Sequence, residues 1–177
     1  MRKLIIITII ITTIFLMKDL LVQELVIIPN DAIRLRVIAN SDSEADQNLK
    51  NKITMNLEEN IKDILKSSDN IDESRQKINE NMFSIDQNIK KTLKSENSTL
   101  TYNIEYGQNY FPAKNYKGVV YKEGKYESLV VTLGKGEGKN FWCVLFPPLC
   151  LLDENENNKD VEYHLLVKDV LKKYFKN

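Results

Sequence analysis

The stretch KNFWCVLFPPLC, residues 139–150, contains the only Trp, both Cys and two of the four Pro of this 177-residue chain. Its apolar, aromatic and β-branched residues at positions 141–146 are typical of a strand that is buried on both faces. Pro147 and Pro148 have no backbone N–H to donate to a neighbouring strand, so they end it. We therefore predict a central strand whose end is fixed by two prolines.

A second strand is predicted upstream, at residues 32–39. Apolar side chains alternate there with the basic side chains of Arg34 and Arg36. A period of two is typical of a strand with one buried and one exposed face. Arg34 and Arg36 are therefore predicted on the exposed face, where they either bind an acidic partner or simply cover the sheet.

Two amphipathic helices are predicted next, at residues 44–66 and 71–94, because apolar residues recur there at spacings of three and four. Ser41 with Glu44 and Ser43 with Asp46 both have the spacing of a helix-capping pair at the start of the first helix. The break between the helices is so short that they should lie antiparallel, with their apolar faces on a shared sheet. A third helix is predicted at residues 161–175.

The segment before the third helix is predicted to be β structure. Residues 99–106 alternate as a strand that ends at Gly107, and residues 111–114 are predicted as a loop. Residues 119–121 and 126–133 are predicted to pair as a hairpin. The fold class is therefore α+β: a mostly antiparallel sheet of about five strands, covered by two long antiparallel helices and a C-terminal helix.

The N-terminus has the composition of an export signal. Arg2 and Lys3 precede residues 4–17, which are apolar except for three Thr. These fourteen residues span about 21 Å as a helix, less than the roughly 30 Å core of a bilayer, although residues 20–22 could lengthen the span. No small-x-small cleavage site occurs near residues 18–26, so a cleaved signal peptide and an uncleaved anchor are both open.

These observations divide the chain into three parts. Residues 1–22 are a signal peptide or N-terminal membrane anchor, residues 23–30 are a linker, and residues 31–177 are a single α+β domain. The chain carries 25 basic and 25 acidic residues, with no block of five like charges. That balance lacks the electrostatic footprint of a nucleic-acid-binding protein, so no nucleic-acid partner is predicted.

The two cysteines and the single histidine are the candidate chemical groups. A nucleophilic thiol needs a base, so Cys143 or Cys150 with His164 would make an exported thiol enzyme. If Pro147 and Pro148 turn the chain back, the two cysteines face each other and can form a disulfide; if these prolines run extended, the cysteines lie about 20 Å apart. The sequence contains no recognisable carboxylate pair, metal cluster or triad, and we predict no catalytic residue, metal or cofactor.

Three motifs together resemble the stage II sporulation protein R family of endospore-forming bacteria. They are IRLRVIANSDS at residues 33–43, EGKYESL at residues 123–129 and CVLFPPLC at residues 143–150. The last motif is highly specific. One departure is Phe141, where the family pattern has a second Trp, and an aromatic replacement leaves the resemblance intact.

The resemblance implies a signalling protein that is made in the forespore and exported into the space between the forespore and mother-cell membranes. There it would activate a membrane-embedded aspartic protease that processes the precursor of sigma factor E. An uncleaved N-terminal segment would also hold it at the membrane. The resemblance supplies no residue-level binding site; we predict that Arg34, Arg36, Phe111 and Trp142 form or support the contact surface. The alternatives are the exported thiol enzyme and a membrane-anchored structural protein of the spore envelope.

Overall fold

The computed structural model describes residues 26–116, 119–149 and 160–175. The leader predicted at residues 1–22 and the second cysteine, Cys150, lie outside the described residues. Within the described part of the chain, none of the helices combines the length and the apolar composition that crossing a bilayer requires.

The described residues form four helices and two sheets, which confirms the α+β fold class. The predicted single, mostly antiparallel sheet of about five strands is wrong: the strands form sheets of four and three, and each sheet contains a parallel pair. The helices are α1 (Glu44–Leu65), α2 (Ile71–Glu80), α3 (Met82–Ser95) and α4 (Asp160–Tyr174). The strands are β1 (Val26–Ile27), β2 (Ile33–Ile38), β3 (Tyr102–Phe111), β4 (Lys114–Tyr116), β5 (Val119–Tyr121), β6 (Gly124–Leu133) and β7 (Asn140–Phe146).

The larger sheet has four strands in the order β3-β6-β2-β7. Strand β2 lies inside this sheet, where it pairs in parallel with β6 and antiparallel with β7. Strand β3 pairs antiparallel with β6 along its whole length. The smaller sheet has the order β1-β5-β4, and its β1–β5 pair is parallel. Strand β2 is therefore the strand around which the larger sheet is organised.

One face of the larger sheet packs against the helices. Ile33, Leu35 and Val37 of β2 are fully buried there, together with Ile53 of α1 and Ile89 of α3. Burying a side chain of this size contributes roughly 1.5–3 kcal/mol of transfer free energy. Because side chains alternate along a strand, the residues between these three point to the opposite face of the sheet.

The opposite face is covered in part by the smaller sheet and by α4. Val144 of β7 packs there with Val26 of β1, Val119 of β5 and Val167 of α4. Alternation along β2 directs Arg34 to this same side. The fold therefore covers both faces of β2, whereas the alternating sequence predicts one exposed face.

The first helix begins as predicted. Ser43 is its N-cap and accepts a hydrogen bond from the backbone N–H of Asp46 at 3.2 Å. The Asp46 carboxylate in turn accepts hydrogen bonds from Ser41 Oγ and Asn40 Nδ2. These bonds, led by that of Ser41, lower the pKa of the Asp46 carboxyl. The link fixes the direction in which α1 leaves β2.

The second predicted helix is two helices. Asn81, with φ −103° and ψ 10°, separates α2 from α3 because these angles lie outside the α-helical region. The side chain of Asn56 on α1 donates to Thr92 on α3, and that of Asn60 donates to Ser84. The later residue on α1, Asn60, contacts the earlier residue on α3, Ser84, so these two helices lie antiparallel as expected.

The stretch at residues 140–146 is not the central strand. It ends at Phe146 before Pro147, as predicted, but β7 lies at the edge of the larger sheet and its first four residues are only partly buried. Strand β2 is central because it pairs on one side with β7 and on the other side with β6, which follows the helices in sequence and runs parallel to it. An apolar run alone does not distinguish an edge strand that is covered by other elements from a central one.

Two other predicted strand assignments are corrected. Strand β3 continues through Gly107 to Phe111 because β6 supplies partners along all ten of its residues. Strands β5 and β6 do not form a hairpin with each other: β5 joins β1 and β4 in the smaller sheet. The linker predicted at residues 23–30 includes β1, whose Val26 is buried.

The connection between β6 and β7 is fixed to the end of β2 by hydrogen bonds. Gly138 N–H donates to the carbonyl of Ala39 at 2.9 Å, and Lys139 N–H donates to Asp42 Oδ1 at 2.7 Å. Gly138 has no space for a side chain, because a Cβ there would overlap the backbone carbonyl of Ser41. The glycine is required by this close approach of two backbone segments.

Changing Gly138 to Ala should therefore lower the free energy of unfolding by about 1–3 kcal/mol, the usual cost of overpacking. Gly107→Ala is the matched control, since a Cβ at Gly107 meets nothing within 4 Å. The control should leave stability unchanged or raise it by up to about 1 kcal/mol, because alanine is favoured over glycine inside a strand. Urea unfolding of both variants measures the difference, and equal effects would contradict the close approach at Gly138.

An ion pair ties α2 to the sheet. Arg75 donates from Nε and Nη2 to the two carboxylate oxygens of Glu127 on β6, each at 2.8 Å. Tyr106 on β3 donates its hydroxyl to Glu127 Oε1 at 2.6 Å. The hydrogen bonds from Arg75, followed by that from Tyr106, hold the pKa of the Glu127 carboxyl below its ordinary value. Such charge-assisted, bidentate pairs are the stronger class of hydrogen bond.

Because the pKa of Glu127 is lowered by folding, its contribution to stability is complete above the ordinary glutamate pKa, near 4.5, and is lost as the pH falls through the folded value. We expect Glu127→Gln to lower the free energy of unfolding by about 1–3 kcal/mol at pH 7. The variant should also lose less stability than the parent on acidification below about pH 4.5. Urea unfolding across pH 3–7 measures both effects.

Glu105→Gln on β3 is the control, because this exposed carboxylate has no hydrogen bond or ion pair among the described contacts. It should change the free energy of unfolding by less than about 0.5 kcal/mol. Parallel acid profiles for the parent and Glu127→Gln would contradict the assigned role of the Arg75–Glu127 pair.

Candidate functional site

Four residues predicted from the sequence lie together on the sheet face opposite the helices: Arg34, Arg36, Phe111 and Trp142. Arg36 of β2 is directly opposite Trp142 of β7 in the antiparallel register. The Phe111 ring, at the end of β3, lies 5.1 Å from the Trp142 ring and 5.4 Å from the Arg34 guanidinium carbon. The structure therefore brings the four into one continuous cluster.

Arg34 lies in a cage of aromatic rings. Its guanidinium carbon is 3.4 Å from the ring centroid of Tyr126, and the rings of Phe111 and Tyr121 lie within 6 Å. These rings come from β6, β3 and β5, so both sheets contribute to the cage. The electron-rich ring faces attract the cation and replace part of the water that burial removes.

The polar edge of Arg34 is unsatisfied. The residue is only 2% exposed, and neither Nε nor Nη2 has a hydrogen-bond partner within the described structure. Burial lowers the pKa of Arg34, and Tyr126 partly opposes this effect. A buried guanidinium without a paired carboxylate is costly, so this side chain adds less stability than its many contacts suggest.

A second group of cations surrounds the single tryptophan. The Arg36 guanidinium carbon lies 4.5 Å from the centroid of the Trp142 ring, and Lys114 Nζ lies 4.4 Å from the same centroid. We call Arg36, Lys114 and Trp142 the cation–Trp patch. Burial lowers the pKa of Arg36, and burial together with the charge of Arg36 lowers that of Lys114.

Asn140 positions Arg36 in the patch. In the amide orientation that satisfies both of its polar atoms, Asn140 accepts hydrogen bonds from Arg36 Nε at 3.2 Å and Nη2 at 2.9 Å. The same side chain donates to the carbonyl of Gly138 at 3.0 Å. One edge of the guanidinium is therefore held by the protein, and Nη1 is left on its other side.

The location of Arg34 corrects the prediction of an exposed basic face. Arg36 is partly buried, Phe111 is 3% exposed and Trp142 is partly buried, so these residues line and support the cluster to different degrees. The alternating pattern of β2 does not reveal that a second sheet covers this face. The prediction that Arg34 points away from the helices is confirmed, whereas the prediction that it is exposed to solvent is wrong.

Two members of the cluster were missed by sequence reasoning. The sequence predicts a loop at Lys114, whereas β4 pairs with β5 and places this residue beside Trp142. The sequence predicts Tyr126 only as a strand residue. In the structure, Tyr126 points to the same face of β6 as Ser128, and Ser128 lies opposite Arg34 in the parallel β2–β6 pair. Parallel pairing between distant segments leaves no local signal from which that neighbour could be identified.

Cys143 is disulfide-bonded. The chain turns after β7, with a cis peptide bond between Phe146 and Pro147 and a hydrogen bond from Leu149 N–H to the Pro147 carbonyl. This turn is the arrangement in which a bond to Cys150 was predicted. Cys150 lies outside the described residues, so its pairing with Cys143 stays a prediction.

The thiol-enzyme alternative depends on Cys143 or Cys150 and on His164. A disulfide-bonded sulfur is not a nucleophilic thiolate, which argues against Cys143 in that role. His164 falls within α4, and its side chain lies outside the described part of the structure. Among the described residues, no group of three or more His, Cys, Asp or Glu is arranged to hold a metal ion.

Comparison with known proteins gives one consistent match. A family model described as stage II sporulation protein R matches residues 29–156. Stage II sporulation protein R of Bacillus subtilis (strain 168) is 42% identical to this chain over 128 residues. The matched region is 72% of this chain and 57% of that relative, so it spans little more than half of the relative's length. No solved structure matches the chain.

The cost of burying Arg34 can be tested by replacing it with apolar side chains. Arg34→Met keeps an unbranched side chain against the rings and removes the unsatisfied charge, so stability should stay within about 1 kcal/mol of the parent or increase. Arg34→Ala leaves a cavity in the cage and should cost about 2–5 kcal/mol. Urea unfolding compares the two. Equal destabilisation by both substitutions would show that the cation–ring contacts outweigh the burial cost.

Proposed function

This chain belongs to the stage II sporulation protein R family, and from that membership we propose that it is an exported signalling protein of endospore formation. In this proposal the chain is made in the forespore and its N-terminal segment directs it into the space between the forespore and mother-cell membranes. There it is either secreted or anchored by residues 1–22.

The proposed receptor is a membrane-embedded aspartic protease that processes the precursor of sigma factor E. A protein without its own catalysis can activate such a receptor only by binding its active state more tightly than its inactive state. The proposed contact surface contains Arg36 and Trp142, with Arg34 and Phe111 holding them in place. The proposed function requires no cofactor, metal or nucleic acid.

The observation that carries this proposal is the family match over residues 29–156. That range includes α1 to α3 and all of the larger sheet, and therefore the whole aromatic and cationic cluster. The cluster combines buried and partly buried rings with cations, a composition typical of the energetically important residues of protein interfaces. These features support recognition of a protein partner.

The proposal is tested by producing the full chain in a host that does not sporulate, together with the candidate aspartic protease and the sigma factor E precursor. We expect the precursor to be cut only when all three proteins are present. Immunoblotting of the precursor and its product measures the conversion. Cutting without this chain, or no cutting in its presence, would contradict the proposed function.

Two control variants separate the alternatives in the same assay. Deleting residues 2–22 should abolish processing if the signal must leave the cytoplasm. His164→Ala should retain full activity, since a binding protein needs no base at that position. Loss of activity in a folded His164→Ala variant would instead favour the exported thiol enzyme.

A further inference from the structure

The cation–Trp patch holds two positive charges against one ring, and no described carboxylate forms an ion pair with either cation. Arg36 belongs to β2, Lys114 to β4 and Trp142 to β7, so both sheets build the patch. Asn140 and the ring fix the position of the Arg36 guanidinium. Lys114 is exposed and the other two residues are partly exposed, so a partner can reach the group.

The ion pairs found between described side chains lie on the helical side of the larger sheet. The ion pairs Lys52–Glu96, Arg75–Asp72, Arg75–Glu127 and Lys90–Asp86 each include a residue of α1, α2 or α3, on the helical side. None includes Arg36 or Lys114. The charge of Arg36 also disfavours the charged form of Lys114. Like charges held together in this way are stabilised when a partner brings carboxylates.

A third cation lies beside the patch. Phe111 contacts both the Trp142 ring and Arg34, and the unpartnered Nε and Nη2 of Arg34 are almost fully buried. Arg34, Arg36 and Lys114 thus carry three positive charges around one row of rings, with no carboxylate paired to them among the described residues. These three cations therefore create a local positive potential at the cluster.

We infer that the cation–Trp patch is the docking site for an acidic segment of the receptor. The carboxylates of this segment bind Arg36 and Lys114, and the methylene groups of its acidic side chains pack on Trp142. This inference rests on the proposed signalling function and specifies the chemistry of the partner. Arg36 presents Nη1 and Lys114 presents its ammonium group as charge-assisted donors. The ring between them supplies an apolar surface for the same segment.

The geometry favours a protein segment over an anionic lipid surface. A fluid lipid surface is bound by long, mobile basic side chains, which adjust to moving headgroups. Arg36 is instead held by Asn140 and by Trp142 before a partner arrives. Preorganised groups of this kind recognise carboxylates at defined positions, because less freedom is lost on binding.

Trp142 provides a direct measurement, because it is the only tryptophan of the chain. The full chain in detergent micelles is titrated with a hexaglutamate peptide while tryptophan fluorescence is recorded. We expect a saturable change that becomes weaker as salt is added. Arg36→Gln with Lys114→Gln should weaken the apparent affinity about tenfold, equivalent to about 1.4 kcal/mol.

Lys91→Gln with Lys94→Gln is the matched control, since it removes two exposed positive charges from α3 on the helical side of the sheet. This control should bind hexaglutamate with the parent's affinity. No saturable change, or the same weakening in both double variants, would overturn the docking site. A response to phosphatidylglycerol vesicles with none to the peptide would also overturn it, in favour of a lipid surface.

The processing assay separates this inference from the proposed function. Arg36→Gln with Lys114→Gln should reduce precursor cutting at least tenfold, while its urea unfolding midpoint stays near that of the parent. Full cutting by this variant would refute the docking site and leave the signalling function standing. No cutting by the parent chain would refute the signalling function, and the fluorescence titration would then decide separately whether the patch binds carboxylates.

Discussion

The burial of Arg34 between the two sheets is the constraint around which the aromatic cluster is arranged. Strand β2 presents an apolar set to the helices, so Arg34 must point to the other face, and the smaller sheet covers that face. An arginine in such a position requires a favourable environment for its charge. The rings of Phe111, Tyr121 and Tyr126 provide it, and they bring residues of three strands to one point.

Much of the fold can be predicted from local patterns, whereas the order of the strands cannot. Helix α1, its Ser43 cap and the end of β7 before Pro147 follow from short-range rules about periodicity, capping and missing N–H groups. The place of β2 inside the sheet depends on its parallel pairing with β6, which no local pattern encodes. The division of a predicted long helix at Asn81 was missed because the apolar spacing continues through it.

The candidate site was predicted in part for the same reason. Arg34, Arg36 and Trp142 are unusual residues in strand-like sequence, and Phe111 lies in a predicted loop; the structure brings the four together. Lys114 and Tyr126 are ordinary residues whose importance arises only when β4 and β6 are placed beside β7 and β2. Arg34 is buried and not exposed as predicted, because β5 and β6, which are distant in sequence from β2, contribute the rings that cover it. The stretch around Trp142 thus belongs to an edge strand that contributes to the aromatic and cationic cluster, and not to the centre of the sheet.

The parallel β2–β6 pair also affects how the chain reaches its folded state. In this pair, Arg34 lies opposite Ser128. The segment of chain that connects the two strands contains α1, α2, α3 and the strands from β3 to β5. Pairing of β2 with β6 is slow, because the long connecting segment loses conformational entropy before the contacts between the two strands stabilise the fold. During the proposed export, the larger sheet could not close until most of the chain had passed through a translocation pore. Its closure would then make the passage one-way, since a folded domain is wider than the unfolded chain that a narrow pore admits.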